Sequence, residues 1–134
     1  QHLLNKAEID IVREKGAKRL LLMNRTELQQ VVVNLIVNAI HAMPDGGRLT
    51  FATRDEDVDG RPGLAIMVTD TGVGMSDELI RKVFDPFFTT KRSEGTGLGL
   101  SISQTLIKRQ GGRIAVESEE GRGTTFTIWL PEAA

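Results

Sequence analysis

The chain has 134 residues, no cysteine, and 17 basic against 18 acidic side chains, for a net charge of -1. That length suits one domain with its own core, 1–134, and ordinary apolar (40%) and charged (26%) fractions exclude extensive disorder. Without cysteine there is no disulfide scaffold, thiolate metal site or thiol nucleophile, and the balanced charge argues against nucleic acid as a partner. The longest apolar run, Leu64 to Val68, is too short to span a bilayer. The chain opens on Gln1 rather than Met, so it is expected to be a segment of something longer, and its parent can be membrane-bound.

Glu8 to Ile11 alternates as a half-buried strand does, and Arg19 to Met23 is a second apolar run beyond a turn at Lys15-Gly16. Asn24 is the expected N-cap of the strongest helical stretch, with Glu27 completing a box-like start. Over 26–43, Leu28, Val31, Val32, Leu35, Ala39 and Ala42 recur at intervals of three and four, which predicts a broad apolar stripe. Met43-Pro44-Asp45-Gly46-Gly47 ends that helix. Leu49, Phe51 and Thr53 alternate as a strand, residues 55–63 read as an acidic hairpin loop, and Leu64 to Thr69 reads as a strand buried on both faces. Ser76 caps a short helix carrying Leu79, Ile80 and Val83. Residues 85–97 have no period and are expected to form a mobile loop. Leu98, Ile102, Leu106 and Arg109 are expected along one side of the next helix, closed by Gly111-Gly112. Arg113 to Ser118 and Thr124 to Leu130 make a final hairpin. The order ββαββα(loop)αββ predicts an α+β fold, a two-layer α/β sandwich with three helices on one face of a mixed sheet.

Four groups of residues carry possible chemistry. On the first long helix, Asn34, Asn38 and His41 fall within one narrow wedge, Asn38 about 40° to one side of Asn34 and His41 about 20° to the other at helical spacing. Two side-chain carbonyls one turn apart suit a hard cation such as Mg²⁺ held mainly by phosphate oxygens; the same residues also suit a solvated helix face. Asp70-x-Gly72-x-Gly74 ends a buried strand, where an acceptor-only carboxylate needs a donor. The exocyclic amine of adenine would supply one, with the glycines letting backbone approach a flat ligand; an ordinary strand-to-helix turn has the same composition. Gly95-Thr96-Gly97-Leu98-Gly99-Leu100 leads into a helix, placing amides and the positive helix end where phosphates could bind. It lacks the spacing of a dinucleotide fold and the lysine of a P-loop. Lys91 and Arg92 upstream are either mobile cations of a lid or solvated loop charge. Finally, Thr124 is the polar member of an inward row with Phe126, Ile128 and Leu130. Its hydroxyl reaches a base through water or caps its own turn.

Read together, Asn34-Leu-Ile-Val-Asn38-Ala, Asp70-x-Gly-x-Gly74, Phe84-Asp-Pro-Phe-Phe-Thr-Thr-Lys91 and Gly95-Thr-Gly-Leu-Gly-Leu100 resemble the N, G1, F and G2 boxes of sensor histidine kinases. The resemblance covers the catalytic, ATP-binding domain of that family, from about Ala7 to Pro131. The wider superfamily includes DNA gyrase, heat-shock chaperone and mismatch-repair ATPases. The resemblance implies a mostly antiparallel Bergerat-type sheet, and ATP and Mg²⁺ as cofactors. It implies that Asn38 ligates the metal with Asn34 assisting, and that Asp70 reads the adenine amine with a water shared with Thr124. Gly72 and Gly74 would shape the base pocket and Met75 would pack on the ring. Gly95, Thr96, Gly97, Leu98, Gly99 and Leu100 would give the lid its hinge and phosphate amides, with Lys91 near the β- or γ-phosphate. Phe87 and Phe88 would be a handle for the partner helices.

The ATP-hydrolysing superfamily members place a general-base Glu where this chain has Asn34, so the resemblance implies ATP positioning with slow hydrolysis. Asn24 stands where the family often has Asp, and His41 where some members have a basic phosphate contact. The acceptor box, a His followed by an acidic residue and then Pro, does not occur: His2 is followed by Leu3-Leu4-Asn5. The expected function is γ-phosphoryl transfer from MgATP to a histidine on separate dimerisation helices. A response regulator would be reached through the full-length protein, in the cytoplasm, with the domain alone monomeric. The rival readings are an anti-sigma-factor-like serine kinase and a degenerate, non-catalytic binding module.

Overall fold

A computed structural model describes residues 9–15, 25–84 and 96–132, with side chains over 26–84 and 100–132. The elements in chain order are β1 (Ile9–Lys15), α1 (Arg25–His41), β2 (Gly47–Asp55), β3 (Gly63–Asp70), α2 (Asp77–Lys82), α3 (Thr96–Arg109), β4 (Arg113–Glu119) and β5 (Gly123–Pro131). β1 runs well past the alternation read at 8–11, while the run at 19–23 and the Asn24 cap lie outside the described residues. The sheet has the order β1-β2-β3-β5-β4, with β1 parallel to β2 and every other pair antiparallel. Parallel neighbours need a crossover, and α1 is that crossover. The expected α+β architecture with a mixed, mostly antiparallel sheet is the one observed.

Strand alternation sorts the side chains. Leu64, Ile66 and Val68 of β3 lie opposite Leu130, Ile128 and Phe126 of β5, and all six are buried. Continuing the same rows by one step puts Asp70 opposite Thr124. The apolar inner face therefore ends in a carboxylate and a hydroxyl, at the rim of the core. β3 is central and buried along most of its length, as its apolar composition predicts.

α1 and α3 pack on each other, α1 against β3 and α3 against β4. Val31, Leu35 and Ala39 of α1 are buried at successive turns, with Met43 just beyond, as the stripe predicts. The buried face of α3 differs from the expected one: it is Leu100, Ser103 and Ile107, while Ile102 is 43% exposed. The serine in the middle of that face interrupts the apolar pattern, which drew the expected face one step around the helix. α3 also starts at Thr96, so Thr96 and Gly97 belong to its first turn rather than to the loop.

The β2–β3 connection turns through Asp59 and Gly60, both at positive φ, with Val58 and Arg61 exchanging two 2.9 Å backbone hydrogen bonds. That is the geometry an Asp-Gly pair favours in a tight hairpin. The loop covers Trp129, which alternation turns away from α1 and α3: the indole N–H donates to the Glu56 carbonyl at 2.7 Å, and Arg61 lies over the ring. At the start of α2, Ser76 Oγ accepts from the Leu79 N–H at 3.1 Å, the cap read from sequence. No helix among the described residues is long and apolar enough to cross a membrane.

Candidate functional site

Asp70 is 5% exposed and charged groups at that depth need partners. Its Oδ1 accepts from the Gly72 N–H at 2.8 Å. Burial pushes its carboxyl above the usual range, and the backbone N–H groups of Gly72 and Thr124 pull it part of the way back. A carboxylate so held keeps further lone pairs for an incoming donor.

Residues 71–75 are strapped on both sides. The Val73 N–H donates to Ala42 O at the end of α1, and the Val73 carbonyl accepts from the Gly121 N–H in the β4–β5 turn. Thr71 Oγ1 accepts from the Arg48 N–H at 3.0 Å. A Cβ on Gly72 would strike the Ala42 backbone, and one on Gly74, at φ +71°, would strike the Glu119 backbone. The absent side chains at both positions make room for the chain's own backbone on either side of the loop. Met75 packs against the core, and its N–H donates to Ser118 Oγ at 2.8 Å.

Thr124 is 6% exposed, and its Oγ1 lies 2.7 Å from Ser118 Oγ. A shallow depression of about 350 Å³ at this end of β3, β4 and β5 takes in Asp70, Ser118 and Thr124. Ser118 was not singled out from the sequence, although it continues the inward row of Ile114 and Val116 on β4.

On α1 the wedge is graded: Asn34 and Asn38 are half-buried and His41 is exposed on the last turn. Asn34 Nδ2 donates to Ser103 Oγ of α3 at 3.2 Å. Ser103 too was missed, though it shares a helical face with Leu100 and Ile107. Among the described residues no hydrogen-bond partner holds the Asn38 side chain, and no three His, Cys, Asp or Glu side chains converge. The donor set beside α1 is thus a neutral amide oxygen, which suits a hard cation whose other ligands are phosphate oxygens and water.

Thr96, Gly97, Leu98 and Gly99 form the first turn of α3, where a helix leaves N–H groups unpaired. The Leu100 side chain packs into the core at 2% exposure, which leaves only its backbone for the phosphate contact expected of it. Lys91, Gly95, Phe87 and Phe88 lie outside the described residues.

This geometry has close counterparts. The family described as histidine kinase-, DNA gyrase B-, and HSP90-like ATPase matches residues 23–134. The chain is 45% identical over 107 residues to the sensor histidine kinase ZraS of Salmonella typhi, covering 80% of this chain and 22% of that protein. It therefore spans about a fifth of that relative's length. The nucleotide-free catalytic domain of the histidine kinase ThkA superposes with a TM-score of 0.83 at 34% identity, covering 98% of this chain and 84% of that one. The histidine kinase ThkA in complex with the response regulator protein TrrA gives 0.78 at 30% identity, covering 98% and 36%. The chain belongs to the histidine kinase-, DNA gyrase B-, and HSP90-like ATPase family, and within it is a histidine kinase catalytic domain.

Proposed function

We propose that the site binds MgATP between Asp70 and the start of α3 and presents the γ-phosphoryl group to a histidine on the dimerisation helices of the parent kinase. The single observation that carries this is the Asp70 carboxylate, 5% exposed at the end of an otherwise apolar row and anchored by the Gly72 N–H at 2.8 Å. In this reading Asp70 accepts from the adenine amine, Thr124 shares a water with it, Gly72 and Gly74 fix the loop, and Met75 packs on the base. Asn38 offers its amide oxygen to Mg²⁺, with Asn34 and His41 on the same wedge. The first-turn amides of α3, together with Gly95 and Lys91, hold the phosphates.

Bound MgATP supplies the phosphoryl group; the chain's work is positioning and charge neutralisation. Asn34 occupies the place of a general base, and a neutral amide takes no proton, so water in the site stays poorly activated. The acceptor imidazole brings its own nucleophile. The domain acts as a monomer on the cytoplasmic side, and a response regulator then takes the phosphoryl group through the full-length protein.

The test combines two measurements. Saturating MgATP should raise the melting temperature, since ligand at a hundredfold over Kd adds ~2.7 kcal/mol. Incubation with γ-labelled ATP and the parent's acceptor helices should then give an acid-labile phosphohistidine, with little phosphate released by the domain alone. No thermal shift would identify a non-catalytic module, an acid-stable product a serine kinase, and brisk hydrolysis by the isolated domain would remove the argument from Asn34.

A further inference from the structure

Ser118 Oγ has three polar neighbours and only one proton. It accepts from the Met75 N–H at 2.8 Å, lies 2.9 Å from the Gly123 carbonyl, and lies 2.7 Å from Thr124 Oγ1. A carbonyl oxygen only accepts, so the Gly123 contact is a hydrogen bond only if it takes the Ser118 proton. The remaining contact is then a hydrogen bond only if Thr124 donates. That commits the single Thr124 proton to Ser118, and leaves Thr124 nothing but lone pairs for a ligand. Thr124 stands opposite Asp70 in the β3–β5 register, and both are buried. The two side chains therefore offer acceptors alone.

We propose that Ser118 is a specificity-positioning residue: by taking the Thr124 proton it fixes the base pocket as acceptor-only, which admits a purine bearing a 6-amino group and repels a 6-carbonyl. Ser118 touches no ligand in this scheme; it acts through Thr124, and secondarily through the Met75 N–H at the end of the loop that Asp70 begins. Without Ser118 the Thr124 hydroxyl turns freely and can present its proton to the water it shares with Asp70, so that Asp70 alone is left as a fixed acceptor for the amine. The proposal rests on the ATP-binding reading above.

The experiment measures affinities of the intact domain for ATP and for purine riboside triphosphate, which lacks the 6-amine, in wild type, Ser118→Ala, Ser118→Thr, Thr124→Val and the Ser118→Ala/Thr124→Val double variant. The wild type is expected to prefer ATP. Ser118→Ala should reduce that preference by about threefold to tenfold, the loss of one ordinary hydrogen bond, while binding of the 6-unsubstituted nucleotide stays within about twofold. Ser118→Thr keeps the hydroxyl and should keep the preference, and the double variant should lose no more than Thr124→Val does. Equal losses for both nucleotides, or additive losses in the double variant, would overturn the role of Ser118 while leaving the base pocket intact. Should Ser118→Ala not fold, full ATP preference in Thr124→Val overturns the role just as directly. A wild type indifferent to the 6-amine, by contrast, overturns the base-pocket reading itself.

Discussion

The amide of Asn34 donates to the wholly buried hydroxyl of Ser103 at 3.2 Å, and so joins α1 to α3 through a polar contact inside an apolar interface. Asn34→Ala removes a donor from a group that water cannot reach. The expected cost is about 1–3 kcal/mol, read as a lower denaturation midpoint at unchanged slope. Ser103→Ala should cost less, because the half-buried amide can turn toward solvent. A larger loss in Ser103→Ala than in Asn34→Ala would contradict this order.

Asp70→Asn tests the base contact. The amide keeps the shape and the acceptor for the Gly72 N–H but loses the charge, and its NH₂ opposes an incoming amine. A charged hydrogen bond contributes ~1.5–3 kcal/mol, so ATP affinity should fall roughly ten- to hundredfold. Titration calorimetry reads it; equal affinity in the variant would take Asp70 out of the base pocket.

The pH dependence of the ligand-free protein follows from the same carboxyl. Burial raises the Asp70 pKa in the folded state, above the ~3.9 of an unfolded chain. The folded state then binds the proton more tightly, so the contribution to stability is complete below ~3.9 and is lost as pH rises through the raised folded value. The melting temperature of wild type relative to Asp70→Asn should therefore decline as pH increases from about 4. A gap that moves in favour of wild type over that window would reverse the sign.

Much of this architecture was legible because apolar periods report burial directly. Val31, Leu35 and Ala39 stand out at helical spacing, and Thr124, Phe126, Ile128 and Leu130 at strand spacing, and both sets are buried as read. The misread face of α3 has a physical cause: Ser103 counts against a core position until Asn34, 69 residues away in sequence, is seen to satisfy it. Ser118 went unnoticed for the same reason, since a serine on an inward row gains meaning only from Met75, Gly123 and Thr124. The parallel pairing of β1 with β2 has no local signature either, because it depends on how α1 returns the chain.

The glycines of the 71–75 loop give a stability contrast. Gly72→Ala sets a methyl against the Ala42 backbone, which cannot move without disturbing the end of α1, whereas Gly121 has open space around it. Gly121→Ala carries only the strain of a side chain at φ +82°, of order 1 kcal/mol. Gly72→Ala is expected to lower the thermal midpoint by more than Gly121→Ala. Matching midpoints would show that the strap between α1 and the β4–β5 turn yields easily.

Trp129, the only tryptophan in the chain, sits at 4% exposure beneath the β2–β3 hairpin. It is on the reverse side of the sheet from Asp70 and near the far end of β5 from Thr124. Its fluorescence is therefore a private witness to folding: denaturant should shift the emission to longer wavelength, while nucleotide added to the native protein leaves it still. Unfolding can then be followed at any nucleotide concentration without occupancy of the site moving the baseline.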